Sequence, residues 1–96
     1  NISANLKTGI LYLIHIYKGL VYLKEYEYSK SLDCFSEAVG YNKYGVTAFF
    51  YSALCAKHIN DFDASYDYLK EVLEFDQMRF KFAISFNHLS LFNFFY

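Results

Sequence analysis

The most reactive side chains in this sequence are three histidines and two cysteines: His15, His58, His88, Cys34 and Cys55. Zinc sites usually take such ligands in pairs separated by about two to five positions, or by one helical turn. The histidines include no i, i+4 pair and the two cysteines form no ligand pair with each other, so we expect no metal site. Cys34 with a histidine could form a nucleophilic pair, but no motif accompanies it to orient the pair or supply an oxyanion hole. We therefore expect no enzymatic activity and no cofactor.

Three carboxylates, Asp61, Asp63 and Asp67, form a second cluster with potential chemistry. A calcium loop needs oxygen ligands at alternating positions and a closing glutamate, which this stretch does not supply. Acidic residues near the start of a helix stabilise it by complementing its dipole. We interpret these carboxylates in that way.

The charge balance argues against nucleic acid as a partner. Nine basic and ten acidic residues give a net charge of −1, and no basic stripe exists that could neutralise a phosphate backbone, so nucleic-acid binding is not expected. The apolar run over residues 10–23 contains His15 and Lys18 and is shorter than the ~20 residues that span a membrane.

We interpret Cys34 and Cys55 as buried thiols in a reducing compartment, which favours a cytoplasmic location.

The apolar fraction predicts a folded chain. Hydrophobic residues make up 55% of the sequence, with eleven Tyr and eleven Phe, which is enough apolar area to offset the chain entropy lost on folding. A core this small cannot hold all of these aromatics, so we expect some to be exposed, or covered by a partner or by further chain. Because the sequence has no initiating Met and stops after Phe95-Tyr96, we interpret it as one domain that is a fragment of a longer protein.

Apolar residues recur at spacings of three and four, which predicts helices. We place five, over about residues 10–25, 28–40, 46–59, 62–75 and 79–95. Residues 25–27 should form a tight turn, and Gly40 and Gly45 should bound a connector in which glycine supplies the left-handed conformation that ends a helix. Asn60-Asp61 should form a turn and cap the next helix.

The same spacing predicts which side chains face inward. In the second helix these are Tyr28, Leu32, Phe35, Ala38 and Val39. In the fourth helix they are Tyr66, Leu69, Val72 and Leu73.

The sequence also repeats itself in outline at an offset of thirty-four residues. The matching positions are Gly19 with Ala53, Tyr28 with Phe62, Ser31 with Ser65, Phe35 with Leu69, Ala38 with Val72, and Val39 with Leu73. A fixed period of this length in helix-forming sequence is typical of helix–turn–helix repeats that stack into a solenoid.

These positions resemble the pattern of the tetratricopeptide repeat (TPR) family, which requires small residues where paired helices cross and aromatics between repeats. His15 stands where the family usually has Trp, and Lys43 and Gln77 stand at the usual proline position. The resemblance implies an all-α, right-handed superhelical stack of antiparallel helix pairs. Repeat one would cover about residues 12–45 and repeat two about 46–79, with a capping or partial third repeat over about 80–96.

In the TPR family, the first helix of each repeat lines a concave groove that binds another protein. The resemblance places in this groove Leu13, Ile16, Leu20, Leu23, Lys24, Thr47, Phe50, Leu54, Lys57, His58, Lys81, Ile84 and His88. One branch of the family binds C-terminal carboxylates through a clamp of basic and amide side chains. This sequence has Ile16, Leu20, Tyr51 and Ser85 at those positions and retains only Lys81, so we do not expect a carboxylate clamp.

We therefore expect a protein–protein interaction module that binds a peptide or an amphipathic helix in a mostly apolar groove. The alternative is a structural role, in which the exposed aromatics of the C-terminal helix pack on a second copy of the chain or on a larger assembly. Phe92 and Phe95 are the residues on which that alternative depends.

Overall fold

The computed structural model of the protein describes the backbone of residues 2–79 and the side chains of residues 2–75. Four helices follow one another along the chain: α1 (Ile2–Lys24), α2 (Tyr28–Tyr41), α3 (Val46–His58) and α4 (Phe62–Arg79). Over this part of the chain there is no strand. The predicted all-α class is confirmed. The predicted fifth helix lies outside the described residues, apart from Arg79, which belongs to α4.

Two helix ends differ from the sequence-based prediction by several residues, and three others differ by one residue. Helix α1 begins at Ile2 and not near residue 10; Ile2 and Leu6 precede Ile10 at spacings of four, which is compatible with one continuous helix. Within it the Thr8 hydroxyl donates a 2.9 Å hydrogen bond to the Ala4 carbonyl, one turn earlier. Helix α2 extends one residue beyond the predicted end, to Tyr41, and α4 extends to Arg79.

The role predicted for Gly40 was wrong. Gly40 lies inside α2, which ends at Tyr41 with Asn42 as its C-cap, and no described glycine has a positive φ. Gly45 lies at the start of α3 for a steric reason, because a side chain there would collide with the Tyr12 ring. The left-handed residues are Tyr26 (φ 61°) and Asn60 (φ 65°).

These two residues are thirty-four positions apart and occupy equivalent turns. The amide of Tyr26 donates to the Leu23 carbonyl (3.0 Å), and the amide of the next residue donates to the Tyr22 carbonyl (3.0 Å). In the second turn the Asn60 amide donates to Lys57 (3.0 Å), and the following amide donates to Ala56 (2.9 Å). The turn of the α1–α2 hairpin and the turn of the α3–α4 hairpin therefore share these two main-chain hydrogen bonds. The second turn also has the predicted cap, since the Ala64 amide donates to Asp61 Oδ1 at 3.2 Å.

Each helix packs mainly against the next one in sequence: α1 on α2, α2 on α3, and α3 on α4. One apolar cluster joins the first three helices through Ile16, Phe35, Ala38, Ala48 and Cys55. A second cluster, around Ala53 and Leu69, joins α3 to α4.

The predicted inward face of α4 is only half correct. Leu69 and Val72 are buried, as predicted, but Tyr66 is 61% exposed and Leu73 is 43% exposed. Periodicity identifies the apolar face of a helix, whereas burial also requires a neighbouring element to cover it. Over the described part of the chain, nothing covers this side of α4 as α3 covers the same side of α2.

Small residues allow the two helices of each hairpin to cross closely, as the sequence predicted. The Ser31 hydroxyl donates a 2.7 Å hydrogen bond to the Gly19 carbonyl, and the Ser65 hydroxyl donates a 2.9 Å bond to the Ala53 carbonyl. Both serines are buried. The same bond between the same repeat positions thus joins the helices of both hairpins.

The two helix crossings differ in the sizes of the two side chains that fill the space between the helices. A Cβ atom at Gly19 would lie 2.6 Å from Phe35 Cε1, which is too close for any real Cβ contact. In the second hairpin the corresponding residues are Ala53 and Leu69, both buried. A glycine opposite a phenylalanine in the first hairpin is therefore replaced by an alanine opposite a leucine in the second.

We predict that Gly19→Ala destabilises the protein by about 1–3 kcal/mol, because the new methyl group overpacks the crossing. Adding Phe35→Leu should recover part of this loss, since the double variant copies the residue pair of the second hairpin. Urea unfolding of the wild type, both single variants and the double variant gives the coupling free energy. Additive effects of the two substitutions would contradict this account of the crossing.

Removing either buried hydroxyl tests the interhelical bond. Ser31→Ala and Ser65→Ala should each lower the free energy of unfolding by about 1 kcal/mol. Ser36→Ala provides the matched control. The Ser36 hydroxyl also has a hydrogen-bond partner, the Tyr68 hydroxyl at 3.5 Å, but this contact is long and exposed to solvent. Its effect in the same urea titration should stay within about 0.5 kcal/mol.

Candidate interaction surface

The groove positions that the structure describes lie on α1 and α3, the first helix of each hairpin. Leu13, Leu20, Leu23 and Lys24 belong to α1, and Thr47, Phe50, Leu54, Lys57 and His58 belong to α3. We call these nine residues the groove surface. Each of the five α3 residues lies thirty-four positions after an α1 position predicted to line the groove, and the α1 counterpart of Phe50 is Ile16. Lys81, Ile84 and His88 lie outside the described residues.

The apolar members of the groove surface are anchored in the core and keep part of their area accessible. Leu20 and Leu23 are partly buried and pack against the first cluster, while Phe50 and Leu54 pack against the second. Leu13 is more open, with 51% of its surface exposed. Side chains held in this way lose little further rotamer freedom when a partner covers them, which favours binding.

Ile16 has a different position from the one expected of a groove residue. It is only 5% exposed and belongs to the core cluster with Phe35 and Ala48. A side chain at this depth supports the surface from within and offers almost no area to a partner.

The basic groove residues lie at helix ends. Lys24 ends α1, and Lys57 and His58 lie in the last turn of α3, where a positive charge complements the helix dipole. The His58 ring stacks on the Tyr28 ring, with centroids 4.3 Å apart and an interplanar angle of 6°. This stack holds His58 against the start of α2 and orients it at one end of the groove surface.

The structure also shows two exposed apolar faces that were not predicted from the sequence. The first lies on α1, consists of Ile14, Tyr17, Lys18 and Val21, and is called the α1 outer face. The second lies on α4, consists of Phe62, Tyr66 and Leu73, and is called the α4 outer face. Val21 is 58% exposed and Phe62 is 62% exposed. The expectation that some aromatics would be exposed is confirmed by Tyr17, Phe62 and Tyr66.

One sequence signal could have identified the α1 outer face. Ile10, Ile14, Tyr17 and Val21 follow one another at spacings of four, three and four, which places them along one side of a helix. A different side of the same helix carries Gly19 and Ile16, the core positions. Apolar residues on both sides of one helix indicate two packing surfaces.

Both cysteines are free and buried, as predicted. Cys55 donates a weak hydrogen bond from its Sγ to Ser31 Oγ at 3.4 Å. Burial raises the pKa of the Cys55 thiol above its ordinary value of 9.0, and the hydrogen bond to Ser31 offsets part of that rise. The serine that joins α1 to α2 therefore also contacts α3.

The other residues with potential chemistry have structural contacts. The His15 ring stacks on Tyr41 at 5.4 Å, and Asp61 caps α4. Across the side chains of residues 2–75, no three His, Cys, Asp or Glu residues come together as a set that could hold a metal ion. None of the four helices combines the length and the apolar character needed to cross a lipid bilayer.

Comparison of the chain with protein-family models, with curated proteins and with solved structures finds no match.

The environment of Cys55 predicts its reactivity. A raised pKa keeps the thiol protonated near neutral pH, and the thiolate is the form that attacks alkylating reagents. Iodoacetamide at about pH 8 should therefore modify Cys34, which is 8% exposed, before Cys55, which has no exposed surface. Peptide mapping by mass spectrometry measures both rates, and both thiols should react rapidly in concentrated urea. Faster modification of Cys55 in the folded protein would contradict its placement.

The contribution of the protonated Cys55 thiol to the free energy of unfolding depends on pH. Because the folded pKa lies above the unfolded one, this contribution is fully present below the unfolded pKa, near 9.0. It is lost as the pH rises from there through the folded pKa.

Proposed function

We propose that this chain is a TPR-like protein–protein interaction module that binds an amphipathic helix or apolar peptide across the groove surface. The observation that carries the proposal is the recurrence of one hairpin at thirty-four residues, with the same turn bonds and the same serine-to-carbonyl bond. Repeated helical hairpins present the first helix of each unit side by side, and families built this way act mainly by binding other proteins.

The proposed mechanism uses a few apolar anchors with cations at their edge. Leu20, Phe50 and Leu54 offer partly accessible apolar area next to the core. Lys24 and Lys57 would orient the partner by favouring acidic residues near one end of the bound segment. A helix that buries residues at i, i+3 or i+4, and i+7 fits such a surface. The module needs no chemistry or cofactor of its own for this role.

A structural role remains the second candidate, and specific exposed residues favour it. The sequence-based version depended on Phe92 and Phe95, which lie outside the described residues. The α1 and α4 outer faces are exposed apolar surfaces of the type that associating proteins cover.

A library of amphipathic helical peptides, displayed and selected on the full chain, tests the groove proposal. Selected peptides should share apolar residues at helical spacing, and their binding should change little as salt rises, because apolar contacts are not screened. Leu20→Ala and Leu54→Ala should each weaken binding of a selected peptide by about tenfold, as expected for anchor residues. Fluorescence polarisation measures the dissociation constants, and circular dichroism confirms that each variant is folded.

Val21→Ala is the matched control, since it also truncates an apolar residue of α1 but lies on the outer face. It should leave peptide affinity unchanged. Failure to select any peptide, or equal losses in all three variants, would refute the groove as the binding site.

A further inference from the structure

The packing of α3 against α2 shows what type of surface covers the first helix of a hairpin. The side of α3 that faces α2 includes Ala48, Ser52 and Cys55, which have no exposed surface. Thirty-four residues earlier, the α1 outer face has Ile14, Lys18 and Val21 at the same positions. Ile14 is 46% exposed and Val21 is 58% exposed. The same helix side is thus buried in the second hairpin and open in the first.

The α4 outer face occupies the repeat positions of the α2 residues that pack against α3. Phe62, Tyr66 and Leu73 lie thirty-four residues after Tyr28, Leu32 and Val39 on α2. All three α2 residues are partly buried, whereas Phe62 is 62% exposed and Tyr66 is 61% exposed. The described part of the chain therefore has one terminal surface that corresponds to α3 and another that corresponds to α2. In the interior of the molecule those two surfaces pack together.

We propose that copies of this chain associate head to tail, with the α4 outer face of one copy covering the α1 outer face of the next. The contact would reproduce between copies the α2–α3 packing seen within one copy. The proposal depends on the hairpin repeat and on these two faces, and is independent of peptide binding at the groove surface.

Charge complementarity supports a second copy as the occupant. Helix α1 contains three lysines, Lys7, Lys18 and Lys24, and no acidic residue. Over residues 62–75, α4 contains Asp63, Asp67, Glu71 and Glu74 against the single Lys70. The two helices therefore carry net charges of opposite sign. Opposite charge favours α4 on α1 and disfavours two copies of α1 or two copies of α4.

The individual contacts of the α2–α3 packing have compatible counterparts. The Tyr28–His58 stack corresponds to Phe62 with Lys24, a pair that can form a cation–π contact. The Ser31–Cys55 contact corresponds to Ser65 with Val21. Ser65 already donates its proton to Ala53, so an apolar neighbour leaves it satisfied.

The stack of Phe35 on Tyr51, at 5.1 Å, has no ring-on-ring counterpart. Its equivalents are Leu69 and Tyr17, and Leu69 is already buried in its own hairpin. The contact between copies would lack this stack, so we expect it to be weaker than the α2–α3 packing.

Sedimentation of the full chain over about 1 µM to 1 mM tests the proposal, a range suited to a single helix-pair interface. Because the contact joins two different surfaces, the wild type should form dimers, trimers and longer species as concentration rises. Val21→Glu and Tyr66→Glu should each weaken association by about tenfold or more, since each places a carboxylate in the apolar part of the contact. Circular dichroism checks that both variants remain folded.

Mixing the two variants gives the sharpest result. Val21→Glu retains an intact α4 outer face and Tyr66→Glu retains an intact α1 outer face, so an equimolar mixture should form a heterodimer that grows no further. Thr47→Glu is the matched control. Thr47 is an exposed residue of α3 and belongs to neither outer face, so association should be unchanged.

Three outcomes would overturn the proposal. A wild type that stays monomeric over the whole range would show that the faces do not associate. Dimers of Tyr66→Glu that persist would indicate pairing of α1 with α1. Association that survives in both variants would place the contact elsewhere, with residues 80–96 as the first candidate. Loss of peptide binding in Thr47→Glu with association intact would concern the groove proposal alone.

Discussion

The close approach of the two helices in each hairpin is the constraint on which the rest of this structure depends. A buried serine on the second helix donates to a main-chain carbonyl on the first, at Gly19 in one hairpin and Ala53 in the other. This bond requires a small residue at the carbonyl position and a short side chain opposite. The crossing then determines how far apart the helices lie, and so how large a residue can fill the space beside them. Phe35 beside Gly19 and Leu69 beside Ala53 are two solutions to the same volume requirement.

Ser31 extends this constraint beyond its own hairpin. Its oxygen also accepts the weak hydrogen bond from Cys55 on α3, at the point where the first apolar cluster joins three helices. The corresponding Ser65 has no such thiol contact among the described residues. One buried hydroxyl thus links the crossing within a hairpin to the packing between hairpins.

Much of the fold could be predicted from the sequence, because the repeat places small residues and turn residues in register. The turn at residues 25–27, the cap at Asp61 and the burial of Ser31, Leu69 and Val72 all follow from local patterns. The start of α1 was placed eight residues too late, although Ile2 and Leu6 continue the helical spacing back from Ile10. The left-handed positions were also missed, because Tyr26 is a residue type that seldom adopts them.

The groove and the outer faces illustrate a different limit of sequence reasoning. An apolar stripe on a helix specifies a contact surface without naming the element that covers it. Tyr66 and Leu73 were therefore expected to be buried, although no described element covers them. Ile16 shows the reverse case, since a groove position taken from the family pattern proves to be filled by the core.

The two hairpin turns use the same three-residue backbone with entirely different side chains: Glu25-Tyr26-Glu27 in one and Ile59-Asn60-Asp61 in the other. Main-chain hydrogen bonds hold both turns, and these bonds impose a left-handed conformation on Tyr26 at a cost of about 1 kcal/mol. Because main-chain bonds hold the shape, the turn accepts side chains as different as those of Tyr26 and Asn60 at its left-handed position. The three turn positions are therefore sites where side chains can be exchanged for use at the surface while the hairpin keeps its geometry.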